Sequence, residues 1–153
     1  MTEPQYIIGL DLGTTNSVLA YTLISDLERT EEPETQVMDI PQLVGPGTVT
    51  SQPTLPSFIY MPGEKDVAPD ALVLPWQESV PHITGEFARK RGAEIPHRLI
   101  RSAKSWLCHP SVDRDEAILP WEVGPEVLKM SPVAASAAIL DHIRRAWDHT
   151  MAR

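Results

Sequence analysis

A chain of 153 residues that is 42% hydrophobic and 22% charged carries enough apolar material for a folded core and is too hydrophobic for a disordered segment. Its net charge of −8 argues against nucleic acid as a general partner, and no apolar run approaches the roughly 18 residues that a membrane-spanning helix needs. The polar, acidic start from Met1 to Tyr6 and the single cysteine, Cys108, lead to the expectation of a cytoplasmic protein without a membrane partner, in which Cys108 is a packing residue.

Strands are expected at Tyr6 to Leu12 and Ser17 to Leu23, joined by a tight turn. Alternation along the first strand puts Ile8, Leu10 and Leu12 on the core side and Ile7, Gly9 and Asp11 on the other. Gln36 to Ile40 follows an acidic connection as a third strand, making a β-meander. Leu43 to Pro56, rich in Pro, Gly and Thr, reads as an irregular loop before a strand at Ser57 to Tyr60. A short helix is expected at Gly85 to Gly92. A longer one should open at Pro96, with Leu99, Ala103, Trp106 and Leu107 at helical spacing, and end at Pro110. Ser131-Pro132 supplies an N-cap and a first-turn proline for a final helix with the apolar stripe Val133, Ala137, Leu140, Ile143 and Trp147.

Charge is unevenly spread. Residues 86 to 112 hold six basic and two acidic side chains, whereas residues 1 to 80 hold two and twelve. A short positive segment in an acidic chain suits one small anionic ligand better than nucleic acid. On the expected helix from Pro96, residues His97, Arg101, Lys104 and Cys108 would form one polar edge.

The turn Gly13-Thr14-Thr15-Asn16 concentrates the chemistry. Gly13 can adopt a positive φ, so the chain can turn sharply and present the amides and hydroxyls of Thr14 and Thr15, groups that suit phosphate oxygens. The only asparagine of the chain, Asn16, lies in the same turn. Asp11, beside the open space left by Gly9, suits a hydrated magnesium ion. Because strands flank this turn, it differs from loops that open a helix, and neither GxGxxG nor GxxxxGK[ST] occurs in the chain.

The run Asp11-Leu12-Gly13-Thr14-Thr15-Asn16-Ser17 resembles the first phosphate loop of DnaK-type heat-shock chaperones, within the actin and sugar-kinase ATPase superfamily. Ser102-Ala103-Lys104-Ser105-Trp106-Leu107 is similar to that family's lysine-bearing segment, with Ser105 where an arginine is frequent. Thr54-Leu55-Pro56-Ser57, Gly85 to Lys90 and the helix from Ser131 resemble successive elements of the same lobe more loosely, and the longer stretch from Leu23 to Thr54 reads as a surface insertion.

The resemblance implies an α/β fold with a mixed twisted sheet and flanking helices, the ribonuclease-H-like first lobe of an actin-like ATPase. It implies ATP or ADP with Mg2+ as cofactors. Asp11 would hold the metal through water, Gly13, Thr14, Thr15 and Asn16 the phosphates, and Lys104 would act on the terminal phosphoryl group. Residues 1–153 then correspond to an N-terminal fragment of the nucleotide-binding domain, comprising the first sheet of lobe I and part of its peripheral subdomain. The parent would be a chaperone with unfolded polypeptide clients and co-chaperones. The fragment alone would be catalytically incompetent and open to self-association. A non-enzymatic interaction module on the same fold, or a distant sugar or acetate kinase relative, are the alternatives.

Overall fold

The structure, a computed structural model, describes residues 3–151. Its first element is a hairpin of β1 (Tyr6–Leu12) and β2 (Asn16–Leu23), in unbroken antiparallel register from Tyr6↔Leu23 to Leu12↔Ser17. After the single helical turn α1 (Ile24–Leu27), β3 (Gln36–Val37) returns along the far edge of β2, opposite Tyr21 and Ala20. The expected third strand is therefore only two residues long. Met38 still donates its N–H to the carbonyl of Leu19 (2.9 Å), and the chain then departs so that Ile40 can enter the next element.

That element corrects the expectation of an irregular loop. Residues 40–52 form a second hairpin, β4 (Ile40–Gly45) and β5 (Thr48–Gln52), closed through Gly47 at φ +63°. It is not a surface insertion either, since Ile40, Gln42 and Leu43 are buried. Gln42 explains why a polar residue belongs there. Its amide donates to the Thr54 carbonyl (2.8 Å), and its side-chain oxygen accepts from the N–H of Glu86 (3.0 Å), capping the next helix. Only β5, which faces solvent, has the polar composition that made the stretch read as a loop.

Next, β6 (Leu55–Pro56) pairs with β2 at Asn16 and Ser17. The third sheet has β7 (Phe58–Tyr60) between β8 (Ile83–Thr84) and β9 (Leu99–Arg101). Alternation along β7 divides two cores. Ile59 and its partner Ile100 enter the core beneath helix α4 (Pro132–Met151), whereas Phe58 and Tyr60 enter a second core under α2 (Glu86–Glu94) with Phe87 and Ile83. An Asp66–Arg91–Glu94 ion-pair chain, with the Tyr60 hydroxyl also on Asp66, ties the loop after β7 to α2.

The helix expected from Pro96 is absent. Residues 96–98 make one 3-10 turn, Leu99–Arg101 are strand, Ser102 takes a left-handed φ of 55°, and only α3 (Ala103–Trp106) is helical. Burial of Ile100 against Ile59 across the sheet outweighs the helical spacing of Leu99, Ala103, Trp106 and Leu107. His97, Arg101, Lys104 and Cys108 thus do not share one helix edge, and Cys108 is exposed rather than packed.

Helix α4 begins as expected, with the Ser131 hydroxyl accepting the N–H of Ala134 (3.0 Å). Its buried face is rotated from the expected stripe. Ala135, Ile139, Ile143 and Ala146 meet the core, while Val133, Ala137 and Leu140 are exposed. The helix is apolar over more than one face, so spacing alone left its orientation ambiguous, and the alanines permit the closer approach to the sheet.

The fold is α/β, and every strand pairing is antiparallel. The expected single mixed sheet gives way to three small antiparallel sheets among the described residues. Strand β1 lies at an edge. Ile24 donates to the Gln5 carbonyl (2.9 Å), so odd-numbered residues of β1 bond to β2, and the N–H and C=O groups of Ile8 and Leu10 point outward, with no partner strand among the described residues. Ile8 and Leu10, expected in the core, are half-exposed because the sheet stops there and α4 covers them only in part. Among the described residues no helix is long and apolar enough to cross a membrane.

His142 joins α4 to β4. Its ring nitrogen Nε2 lies 2.9 Å from the Pro41 carbonyl and its ring meets Trp76 edge-on. A carbonyl only accepts, so Nε2 carries the proton. Burial depresses the His142 pKa to about 4 from the usual 6.5, the Pro41 bond opposing only part of that shift. Because the folded state binds fewer protons than the unfolded one, stability is full above pH 6.5 and falls between pH 6.5 and 4, by up to about 3 kcal/mol. Urea unfolding across that range should show this loss, and His142→Gln should reduce it, leaving the part due to His82, whose pKa burial also lowers.

Candidate functional site

The turn between β1 and β2 is held from beneath by hydroxyl groups. Ser57 donates its Oγ–H to the Gly13 carbonyl (2.8 Å), and its N–H to the Thr15 carbonyl (2.8 Å). With its only hydroxyl proton committed, Ser57 Oγ accepts from Ser17 Oγ (2.9 Å), and both serines are buried. Two carbonyls of the turn are thereby drawn toward the protein. Thr14, Thr15 and Asn16 remain exposed above them.

Gly13 is required for a different reason from the one its sequence context implies. Its φ does not lie in the left-handed range, which among the glycines holds only for Gly47 and Gly85. Space is the constraint: a β-carbon there would overlap the backbone oxygen of Asn16. The turn folds back on itself more tightly than any side chain permits.

Asp11 is exposed on the face of β1 away from α4, as alternation predicts, since Ile8 and Leu10 line the α4 groove. A β-carbon on Gly9 would meet only the Ala20 carbonyl, at 3.9 Å, so the space beside the carboxylate is open. The Asp11 carboxylate makes no hydrogen bond or ion pair among the described residues, although its backbone pairs with Val18. One carboxylate in open space fits a hydrated magnesium ion, which keeps several waters and shares its remaining ligands with phosphates. No group of three or more His, Cys, Asp or Glu side chains among the described residues could hold an ion by itself.

Lys104 lies on α3 rather than on a long helix, and it is exposed. Arg101 pairs with Phe58, the residue after Ser57, so β9 ends on the side of its sheet where Ser57 meets the turn; Lys104 follows three residues later on α3, which packs against α4. The structure thus brings Asp11, Gly13, Thr14, Thr15 and Asn16 into one hairpin and runs the chain bearing Lys104 off the same end of the neighbouring sheet. The bracing pair Ser17 and Ser57 is the part that motif reasoning missed. A signal existed in two small hydroxyl residues, one directly after the turn and one directly after the Pro56 of a strand that pairs beside it.

No protein-family model matches the chain, and no curated protein matches it.

Ser57→Ala strands the buried Ser17 hydroxyl and the half-buried Gly13 carbonyl and should cost about 1–3 kcal/mol. Ser17→Ala leaves both Ser57 donations intact and should cost less than about 1 kcal/mol. Urea midpoints of the two variants check this asymmetry; equal losses would show that Ser57 does not organise the turn.

Proposed function

We propose that the Asp11–Asn16 hairpin grips the phosphates of ATP or ADP, and that the chain is part of a nucleotide-binding domain of a DnaK-type chaperone. The observation that carries this is the braced turn itself, with exposed Thr14, Thr15 and Asn16 over carbonyls tied to Ser57. Pulling the carbonyls inward removes acceptors from the outer side, where an anion would meet donors instead. Gly13 keeps the turn tight, the Thr14 and Thr15 hydroxyls and nearby amides would hold phosphate oxygens, and Asp11 would hold a hydrated Mg2+ through water. The metal would supply neutralisation of phosphate charge. Lys104 would stabilise charge on the terminal phosphoryl group, since an ammonium there acts where negative charge is redistributed.

In this reading the first hairpin belongs to a ribonuclease-H-like lobe of the actin type, in the cytoplasm, whose chaperone parent binds unfolded polypeptides and co-chaperones. The half-exposed β1 edge supports a place in a larger sheet, because Ile8 and Leu10 are half-exposed and their outward N–H and C=O groups have no partner strand among the described residues. It also supports self-association of the chain by itself. A non-enzymatic module is favoured by one feature, Ser105, which supplies no second cation beside Lys104.

Phosphoryl transfer needs several converging groups, and the described residues contribute one turn, one carboxylate and one lysine. Calorimetric titration with Mg-ATP should give a Kd above roughly 0.1 mM, with negligible phosphate release. Asp11→Asn should weaken the magnesium dependence of that binding, whereas Lys104→Ala should leave it nearly unchanged. Micromolar affinity with steady turnover would contradict the expectation that these groups are insufficient alone, and indifference of the binding to Asp11→Asn would contradict the assignment of the hairpin.

A further inference from the structure

A cleft of about 370 Å³ opens along the outer edge of β9, between that strand and residues 119–121, a volume within the range of small-molecule sites. Buried Ile100 and Leu119 line its inner part, Trp121 packs over Trp106 at its side, and exposed His97 and Arg101 stand at its rim. The two indoles lie 4.9 Å apart at 32°, and His109 stacks on Trp106 at 5.2 Å. Trp121 is nevertheless 47% exposed. An indole left that open at the mouth of a cleft offers a stacking surface that the fold itself does not use.

Charge distinguishes this cleft from the others. Of the six cations between residues 86 and 112, Arg89 and Lys90 pair with Glu86, and Arg91 pairs with Asp66 and Glu94. Arg98, Arg101 and Lys104 make no ion pair among the described residues, and Arg101 borders the cleft. Glu122, next to Trp121, lines the neighbouring cleft with Lys129 instead. Ser102 adds a backbone observation. It lines the cleft in a left-handed conformation (φ 55°, ψ 34°) that is unfavourable for serine, at the point where the chain turns from β9 into the helix bearing Trp106.

We propose that this cleft binds a planar aromatic anion, its ring stacked on the open face of Trp121, which rests on Trp106, and its negative group on the Arg101 guanidinium, with His97 as a further polar contact. Stacking of a flat ring on indole tolerates many ring types, so the arginine selects for charge and the tryptophans for planarity. The anionic group is a phosphate or a carboxylate, as in a nucleoside monophosphate or an aromatic acid. The inference stands independently of the hairpin.

Indole N–H signals of the four tryptophans separate the arms of the test. Adenosine monophosphate, adenosine, naphthoate and inorganic phosphate are titrated in turn against the 15N-labelled chain. The expected result is that the Trp106 and Trp121 signals move while Trp76 and Trp147 stay. Adenosine monophosphate should bind about tenfold or more tightly than adenosine, and phosphate alone should move no indole signal. Trp121→Ala should abolish these shifts. Arg101→Gln, at an exposed position that leaves folding undisturbed, should reduce the monophosphate to the affinity of adenosine. Asp11→Asn, which affects only the hairpin, should leave cleft binding unchanged. A response to adenosine monophosphate alone identifies the anionic group as phosphate, and to naphthoate alone as carboxylate. No movement with either, equal affinity for adenosine and its monophosphate, or an Arg101→Gln variant that binds as before would overturn the proposal.

Discussion

Ser57 is the joint on which the structure turns. Its hydroxyl and its N–H hold the carbonyls of Gly13 and Thr15, and the next three residues are the central strand of another sheet. One residue thereby couples the shape of an exposed turn to the partition between two hydrophobic cores. Both serines of the brace are buried, so the hydrogen bonds act in a setting where losing a partner is costly and the geometry is held firmly. A phosphate-binding turn needs that rigidity, because donors that must reorganise on binding forfeit affinity.

The second constraint is the β4–β5 hairpin. Gln42 reaches across to cap α2, and His142 of α4 bonds to Pro41 on the same strand. Gly85, at φ +95°, has no room for a side chain because a β-carbon would press on Gln42 and Leu55. Both principal helices are therefore located by side-chain hydrogen bonds to one strand, in addition to the apolar packing beneath them. Only the second half of that strand, Leu43–Gly45, lies in the stretch whose composition reads as a loop.

Local signals in the sequence were strongest where one element is self-contained. The alternating run to Leu12, the glycine turn and the second strand are legible because the hairpin pairs with itself, and Ser131-Pro132 marks the start of α4 for the same local reason. The stretch from Pro96 to Leu107 misled because its spacing fits a helix while its fate depends on Ile59, about forty residues away. The buried face of α4 is ambiguous in the sequence, since alanines together with Val133, Ile139, Leu140 and Ile143 surround much of its circumference and only the partner sheet decides between them. Gly13 occupies the turn for want of space rather than for a positive φ, and its crowding against Asn16 is a tertiary fact no pattern displays. Ser17 and Ser57, as a pair, were invisible for want of any motif linking positions forty residues apart.

Unused apolar surface has a physical meaning here. β1 presents Ile8 and Leu10 to solvent with an outer edge that is unpaired among the described residues, and the exposed side of α4 continues that surface through Leu140. Such a face favours partners over isolation. The turn above it is the opposite case, polar and braced. Backbone amide shifts of the 15N-labelled chain on titration with Mg-ADP test that contrast, and the central claim, most directly. Changes concentrated at Gly13, Thr14, Thr15 and Asn16, diminished in Ser57→Ala, are the predicted result. Saturation with no change in these four amides, or changes confined to the apolar face of β1 and α4, would contradict it.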